Sequence, residues 1–316
     1  MKPKIAVSIG DPNGIGPEIA LRAHKEISSF CTPLYFAGFD LFNDAAKRLR
    51  LEIPENFLHT SPAPAPEIRP GIATAESGEY SFRSFKKGVE SVKAGECEAI
   101  VTLPINKEAW MRAGIPYKGH TEFLRDFFKR DAIMMLGCKK LFVALFTEHI
   151  PLKLVPEKIE KESLRSFLLD FHQETWAEKI GVLGLNPHAG DHGVLGDEER
   201  TIEEAVAEAN SYMEEKFSLR PFEGPLVPDT AFSPGTRDRY TYLVAMYHDQ
   251  GLAPLKALYF EESINVSLNL PIVRTSVDHG TAFDIAYLPG HTLSLKSYIE
   301  AATAAVELAA KKSQRP

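Results

Sequence analysis

An α/β fold with a largely parallel sheet is predicted from three observations. Short apolar runs alternate with amphipathic stretches along almost the whole chain. The first run ends in a glycine loop that leads straight into a helical segment. No internal repeat or low-complexity segment interrupts the alternation.

The elements follow in order. Lys4–Ser8 is apolar and ends at glycine, as a buried parallel strand does. Pro17 fits the first turn of a helix that continues to about Ser29. Pro33–Gly38 reads as the next strand and Asp40–Arg50 as the next helix. Five prolines between Pro54 and Pro70 mark an irregular surface connection. A helical pattern covers Glu76–Glu96, and a strand covers Ala99–Leu103. Further apolar runs lie at Leu141–Phe146, Lys179–Leu185 and Tyr242–Met246, with amphipathic stretches at Glu157–Trp176 and Glu198–Phe217. An alanine-rich helix spans about Leu293–Lys311.

The 316 residues suggest two domains, at roughly 150 residues each. Hydrophobic residues at 44% and charged residues at 25% are globular proportions, which exclude a disordered or collagenous chain. A net charge of −7 without any basic block argues against nucleic acid as a partner. No stretch approaches the roughly 18 apolar residues of a membrane span. The N-terminal run is too short for a signal peptide, and Cys31, Cys97 and Cys138 are scattered and odd in number. The expectation is a soluble cytoplasmic protein.

Four constellations carry chemistry. In Gly10-Asp-Pro-Asn-Gly-Ile-Gly-Pro-Glu18 the glycines allow a tight turn, and the following helix start offers N–H groups to an anion. A plain strand–helix turn is the alternative, because neither the dinucleotide nor the Walker spacing is present. His149, His188 and His248 each lie just past an apolar run. In an open parallel sheet that is the ligand-binding edge, and three neutral imidazoles suit a divalent ion with open positions. Singly each would be a structural histidine; together they point to metal ligation. His24, His59 and His172 read as surface or packing residues. Gly119-His-Thr-Glu122 opens a helical run, where His120 and Thr121 could hold an anion or Thr121 could simply cap. Finally, Lys256, Asn265 and Arg274 suit an anionic substrate. The polar run Arg274–Ala286 that follows is unusual for a core segment, with a solvated loop as the alternative.

Together these motifs, with Asn186-Pro-His-Ala-Gly190, Tyr247-His-Asp-Gln-Gly251 and Arg274-Thr-Ser-Val-Asp-His-Gly280, closely resemble the 4-hydroxythreonine-4-phosphate dehydrogenase family of pyridoxal 5′-phosphate biosynthesis. His279-Gly-Thr-Ala-Phe-Asp-Ile-Ala286 is also similar to the adenosine loop of the isocitrate/isopropylmalate dehydrogenase superfamily. The resemblance implies two α/β/α domains with a cleft between them. The expected division is residues 1–130 with 270–316 as a nucleotide-binding domain, and 131–269 as a metal-binding and dimerisation domain. It implies a homodimer whose active site the partner subunit completes, with His248 on the opposite chain to His149 and His188.

The implied activity is NAD-dependent oxidation of 4-phosphooxy-L-threonine, followed by decarboxylation to 3-amino-2-oxopropyl phosphate. The implied metal ligands are His149, His188 and His248, for one Zn, Mg or Co ion per site. Substrate contacts fall on His120, Thr121, Lys256, Asn265 and Arg274, and the general base on Lys256, Asp249 or Asp229. His279, Gly280, Thr281 and Asp284 would meet NAD or NADP. Phe283 and Tyr287 depart from the superfamily's usual proline and glycine, and Asp191-His192-Gly193 from the family's Glu-Gly-Gly. Alternatives are a paralogue acting on a substrate such as 4-phosphoerythronate, a phosphate acyltransferase-like enzyme, and a non-catalytic metal-binding protein.

Overall fold

Residues 2–313 are described by a computed structural model. β1 (Lys4–Ser8) is buried in four of its five positions, and α1 (Gly16–Ile27) follows with Pro17 in its first turn. Then come β2 (Thr32–Phe36), α2 (Phe39–Leu49) and the two-residue β3 (Leu58–His59). α3 (Ala75–Lys93) starts on a reciprocal cap: the Thr74 hydroxyl accepts the Ser77 N–H, and Ser77 Oγ accepts the Thr74 N–H. The wholly buried β4 (Ala99–Thr102) leads to α4 (Lys107–Arg112), which Asn106 caps, and to α5 (His120–Phe128).

The middle of the chain holds β5 (Ile133–Cys138), β6 (Leu141–Leu145), α6 (Val155–Lys158), α7 (Lys161–Thr175) and β7 (Ile180–Leu183). It continues through α8 (Glu198–Phe217), β8 (Phe222–Leu226), α9 (Pro228–Ala231), α10 (Pro234–Arg237), β9 (Tyr242–Ala245) and α11 (His248–Tyr259). Last come β10 (Ile264–Leu268), β11 (Arg274–Val277) and α12 (Lys296–Ser313).

Two compact units result. Unit 1 takes the chain up to Ala132 and again from Ile264; unit 2 is Ile133–Ser263. The second crossing falls before Ile264 rather than near residue 270, because β10 pairs antiparallel with β11 and so belongs to unit 1. In unit 1 the strands run β3-β2-β1-β4-β11-β10, parallel except for that pair. Both α3 and α12 pack on β1 and β4. The buried alanines of α12 (Ala301, Ala302, Ala305) keep it close to the sheet. In unit 2 the order is β5-β6-β9-β7-β8, with β6, β9, β7 and β8 mutually parallel.

Among the elements without a clear signal in the sequence are β5, β8, β10, β11, α4 and α11. β11 is the instructive case, since Arg274, Thr275 and Ser276 are all buried. Each is satisfied by its neighbours, Thr275 Oγ1 donating to Ala301 O and Ser276 Oγ to Thr102 O, so a polar strand can sit in the core. Among the described residues no helix is long and apolar enough to cross a membrane. All three cysteines are buried and free.

Candidate active site

The glycine loop forms a buried, tightly packed strand–helix turn. Residues 10–18 are all buried, and the N–H groups of Asp11, Asn13, Gly14 and Ile15 are engaged. Asp11 donates to Pro104 O at 2.8 Å, Gly14 to Asp11 O at 3.0 Å, and Ile15 to Thr281 O at 3.1 Å. The Asn13 N–H donates to Asp11 Oδ1 at 2.9 Å. Gly10 has φ 71°, and a Cβ there would stand 2.2 Å from Pro104 O, so no side chain fits. Asp11 Oδ2 accepts from Ser77 Oγ, and burial pushes the Asp11 carboxyl up to about 6.

What the loop grips is the segment after β11, which carries His279, Gly280, Thr281 and Asp284. Thr281 supplies the carbonyl that accepts the Ile15 N–H at the start of α1, and the Tyr287 hydroxyl donates to Pro12 O at 2.7 Å. Tyr287 has φ 62°, the left-handed region where glycine is unstrained, which accounts for glycine being common at that position. His279 Nδ1 lies 3.2 Å from Gly280 O, and its Nε2 is buried with no hydrogen-bond partner. Burial holds this imidazole below its usual range. A buried, unanswered ring nitrogen in a partly exposed loop fits a polar ligand such as the adenosine half of NAD.

Unit 1 also holds a buried cation. Arg274, only 2% exposed, opens β11 opposite Ser267 of β10. Its Nη1 donates to Ser267 Oγ at 3.1 Å and Asn265 Oδ1 at 3.4 Å. Nε and Nη2 both reach Thr102 Oγ1, at 3.2 and 2.8 Å, and Nη2 lies 3.1 Å from His120 Nδ1. Every one of these partners is neutral. Burial pushes the guanidinium down to about 9, so it stays charged at neutral pH. A buried positive charge without a carboxylate is costly unless an anion arrives. His120 is the first residue of α5, packed edge-on against Phe85 and Trp110. No side chain caps that helix, so the reading of Thr121 as a simple cap does not hold.

In unit 2, β6, β9 and β7 are adjacent and parallel, and each is followed by one of the three histidines. The topology therefore brings His149, His248 and His188 to one edge of the sheet. The His149 and His248 rings of a single chain stand 5.4 Å apart, although the resemblance assigns them to opposite chains. His248 Nδ1 is 2.7 Å from Asp249 Oδ1, an arrangement that leaves Nε2 as the ring nitrogen open to a ligand. His188 sits on the left-handed turn Pro187–Gly193, beside α9, which carries the exposed Asp229. Among the described residues no group of three His, Cys, Asp or Glu closes on one point. The donor types, neutral imidazoles without thiolate, fit a borderline divalent ion. Lys256 lies half-buried in the last turn of α11.

The pyridoxal phosphate biosynthetic protein PdxA family matches residues 29–305. The chain belongs to the PdxA family. A 4-hydroxythreonine-4-phosphate dehydrogenase of Sulfurimonas denitrificans is 54% identical over 308 residues, 97% of this chain and 98% of that protein. One from Campylobacter fetus is 51% identical over 307 residues, covering 97% and 98%. The crystal structure of 4-hydroxythreonine-4-phosphate dehydrogenase from Klebsiella pneumoniae superposes with TM-score 0.81 at 31% identity, covering 98% of each chain.

Three residues of this PdxA chain escape the sequence reading. Thr102 and Ser267 surround Arg274 but stand in ordinary-looking strands, legible only once β4, β11 and β10 are paired. Glu199 is buried, and its Oε1 accepts the Leu185 and Asn186 N–H groups at 2.8 and 2.7 Å. It thereby anchors the turn bearing His188. Its signal was its place in the first turn of a long helix, which reads simply as a favourable helix-start charge.

Proposed function

We propose that this chain is a 4-hydroxythreonine-4-phosphate dehydrogenase that oxidises the C3 hydroxyl of 4-phosphooxy-L-threonine with NAD or NADP and a divalent metal. The β-keto acid formed loses CO2 readily, because its carbonyl accepts the electron pair, giving 3-amino-2-oxopropyl phosphate. The observation that carries the reading is the buried Arg274 guanidinium, ringed by neutral acceptors and lacking a counter-ion. An anionic substrate supplies the missing negative charge. The full-length likeness to named dehydrogenases supports the reaction class.

In this mechanism His120, Thr121, Asn265 and Arg274 bind and orient the anionic substrate, with Lys256 as a further contact. Lys256, Asp249 and Asp229 are the candidates to take the hydroxyl proton. His149, His188 and His248 are the residues that would hold the metal, and His279, Gly280, Thr281 and Asp284 those that would meet the coenzyme. When bound, these groups supply charge stabilisation at the reacting oxygen and a hydride acceptor. The protein acts as a cytoplasmic homodimer whose partner subunit completes each site; free, buried cysteines suit a reducing compartment.

Reduction of NAD+ and NADP+ is followed at 340 nm across a panel of phosphorylated hydroxy acids including 4-phosphoerythronate, with Zn2+, Co2+ or Mg2+ added. Turnover of 4-phosphooxy-L-threonine above all others is expected. Turnover of another member alone, or of none, overturns the assignment.

A further inference from the structure

Arg274 has five N–H bonds, and all five are engaged: two at Thr102 Oγ1, one each at Ser267 Oγ, Asn265 Oδ1 and His120 Nδ1. A guanidinium can only donate. His120 Nδ1 must therefore accept, and in a neutral imidazole the proton then sits on Nε2. That Nε2 is buried and has no hydrogen-bond partner among the described residues. A buried N–H without an acceptor is an unsatisfied donor, and the groups packed on the ring, Phe85 and Trp110, offer it none.

We infer that Arg274 locks His120 as the neutral Nε2–H tautomer, that His120 meets an oxygen of the anionic substrate as a hydrogen-bond donor, and that Thr102 is the positioning residue that sets this arrangement. The inference rests on the reading of His120 and Arg274 as substrate contacts, and adds to it a protonation state and a residue acting behind them.

Thr102 suits that role because its hydroxyl is fully committed. It donates to Thr275 O at 3.4 Å and accepts from both Nε and Nη2 of Arg274, so the fork lies at one angle. Strand register keeps the parts together: Thr102 on β4 is beside Ser276 on β11, and Arg274 on β11 is opposite Ser267 on β10. Two consequences follow for the chemistry. His120 cannot serve as a general base through Nε2, whose lone pair is used by its proton. Nor can it contribute a second positive charge, since a proton on Nδ1 would face the Arg274 N–H at 3.1 Å. Burial and then the Arg274 charge hold its imidazole well below the usual range, in agreement.

The test is a long-range 1H–15N correlation on full-length protein with 15N-labelled histidine, the His120 signals being those lost in His120→Gln. Wild type is expected to show Nε2 protonated and Nδ1 bare, unchanged from pH 6 to pH 8. A proton on Nδ1, or a titration in that range, overturns the inference. Inorganic phosphate, used as the probe, is expected to shift the Nε2 proton downfield; an unmoved proton in the presence of saturating phosphate overturns the donor role. Thr102→Val keeps the shape and removes the hydroxyl. It is expected to release the tautomer into a mixture and to raise KM for the phosphorylated substrate roughly tenfold, with a smaller change in kcat. Thr102→Ser, which retains the oxygen, is expected to restore both. If Thr102→Val does not fold, wild type and Thr102→Ser still decide, because a Ser variant with a free tautomer overturns the positioning role. A locked tautomer in a protein that oxidises none of the hydroxy acids leaves this inference standing and removes the dehydrogenase reading instead.

Discussion

The Thr281 carbonyl oxygen lies 2.7 Å from where a Cβ on Gly14 would stand, while it accepts the Ile15 N–H at 3.1 Å. Two motifs about 270 residues apart in sequence thus interlock through a backbone contact that only glycine permits. Gly14→Ala must push the segment bearing His279 away from α1. The expected cost is about 1–3 kcal/mol by urea unfolding, as for other overpacked sites. Coenzyme affinity, read by titration calorimetry, is expected to fall with it. Gly280→Ala is the contrast. A Cβ there meets nothing within 4 Å, so stability is expected to change by less than about 0.5 kcal/mol.

Asp11 gives the fold a pH dependence of unusual sign for a carboxylate. Its pKa rises from 3.8 to about 6 in the folded protein. Its contribution is therefore most favourable below pH 3.8 and is lost as pH rises through 6. The full span amounts to about 3 kcal/mol. Asp11→Asn keeps an acceptor for Asn13 and offers a donor to Ser77. The variant is expected to exceed wild type in stability above pH 6 and to converge with it near pH 4. Equal stabilities at pH 8 would refute the buried-carboxylate account.

The buried histidines act in the opposite direction. Desolvation lowers His24, His120, His172 and His279 below 6.5. Folded, each binds fewer protons than unfolded, so their contribution is complete above pH 6.5 and shrinks as pH falls below it. Asp11→Asn, lacking the compensating carboxylate, is expected to show a steeper loss between pH 6.5 and 5 than wild type. Urea midpoints at half-unit intervals measure it.

Arg274→Lys is expected to cost tenfold or more in kcat/KM, about 1.4 kcal/mol, with the fold intact. Lysine keeps the charge but cannot occupy Thr102, Asn265, Ser267 and His120 together. Unchanged kinetics would place the substrate elsewhere.

Exhaustive chelation is expected to abolish NADH formation, with Zn2+, Co2+ or Mg2+ restoring it. Calorimetric metal binding by His149→Ala and by His248→Ala is expected to fall to background. Asp249→Asn, which replaces the carboxylate behind His248 with a neutral amide, is expected to lower metal affinity about 10- to 100-fold. A metal-free wild type with full activity would remove the metal from the reaction.

The alternation of strands and helices was legible in the sequence because parallel strands covered on both faces must be apolar runs. Where polar side chains satisfy one another inside the sheet, that signal disappears, and β11 with Arg274 at its head escapes for this reason. The histidines were legible because each follows an apolar run. Their spacing was not, since it depends on β9 lying between β6 and β7. The glycine loop was legible as a turn before a helix; the Thr281 carbonyl that meets the Ile15 N–H there was not, because that contact joins segments far apart in sequence.

Unit 1 is built from two stretches with all of unit 2 between them. During synthesis, β1, β2 and β4 emerge early, yet the edge of β4 waits for β11, whose Thr275 is 173 residues beyond Thr102. At translation rates of 5–20 residues per second, that edge stays unpaired for roughly ten to thirty seconds. Unit 2, a single contiguous stretch, is completed first. The nascent chain therefore carries a finished neighbour beside a half-made sheet with a bare apolar rim, the form of intermediate that chaperones capture and that aggregates when they are scarce.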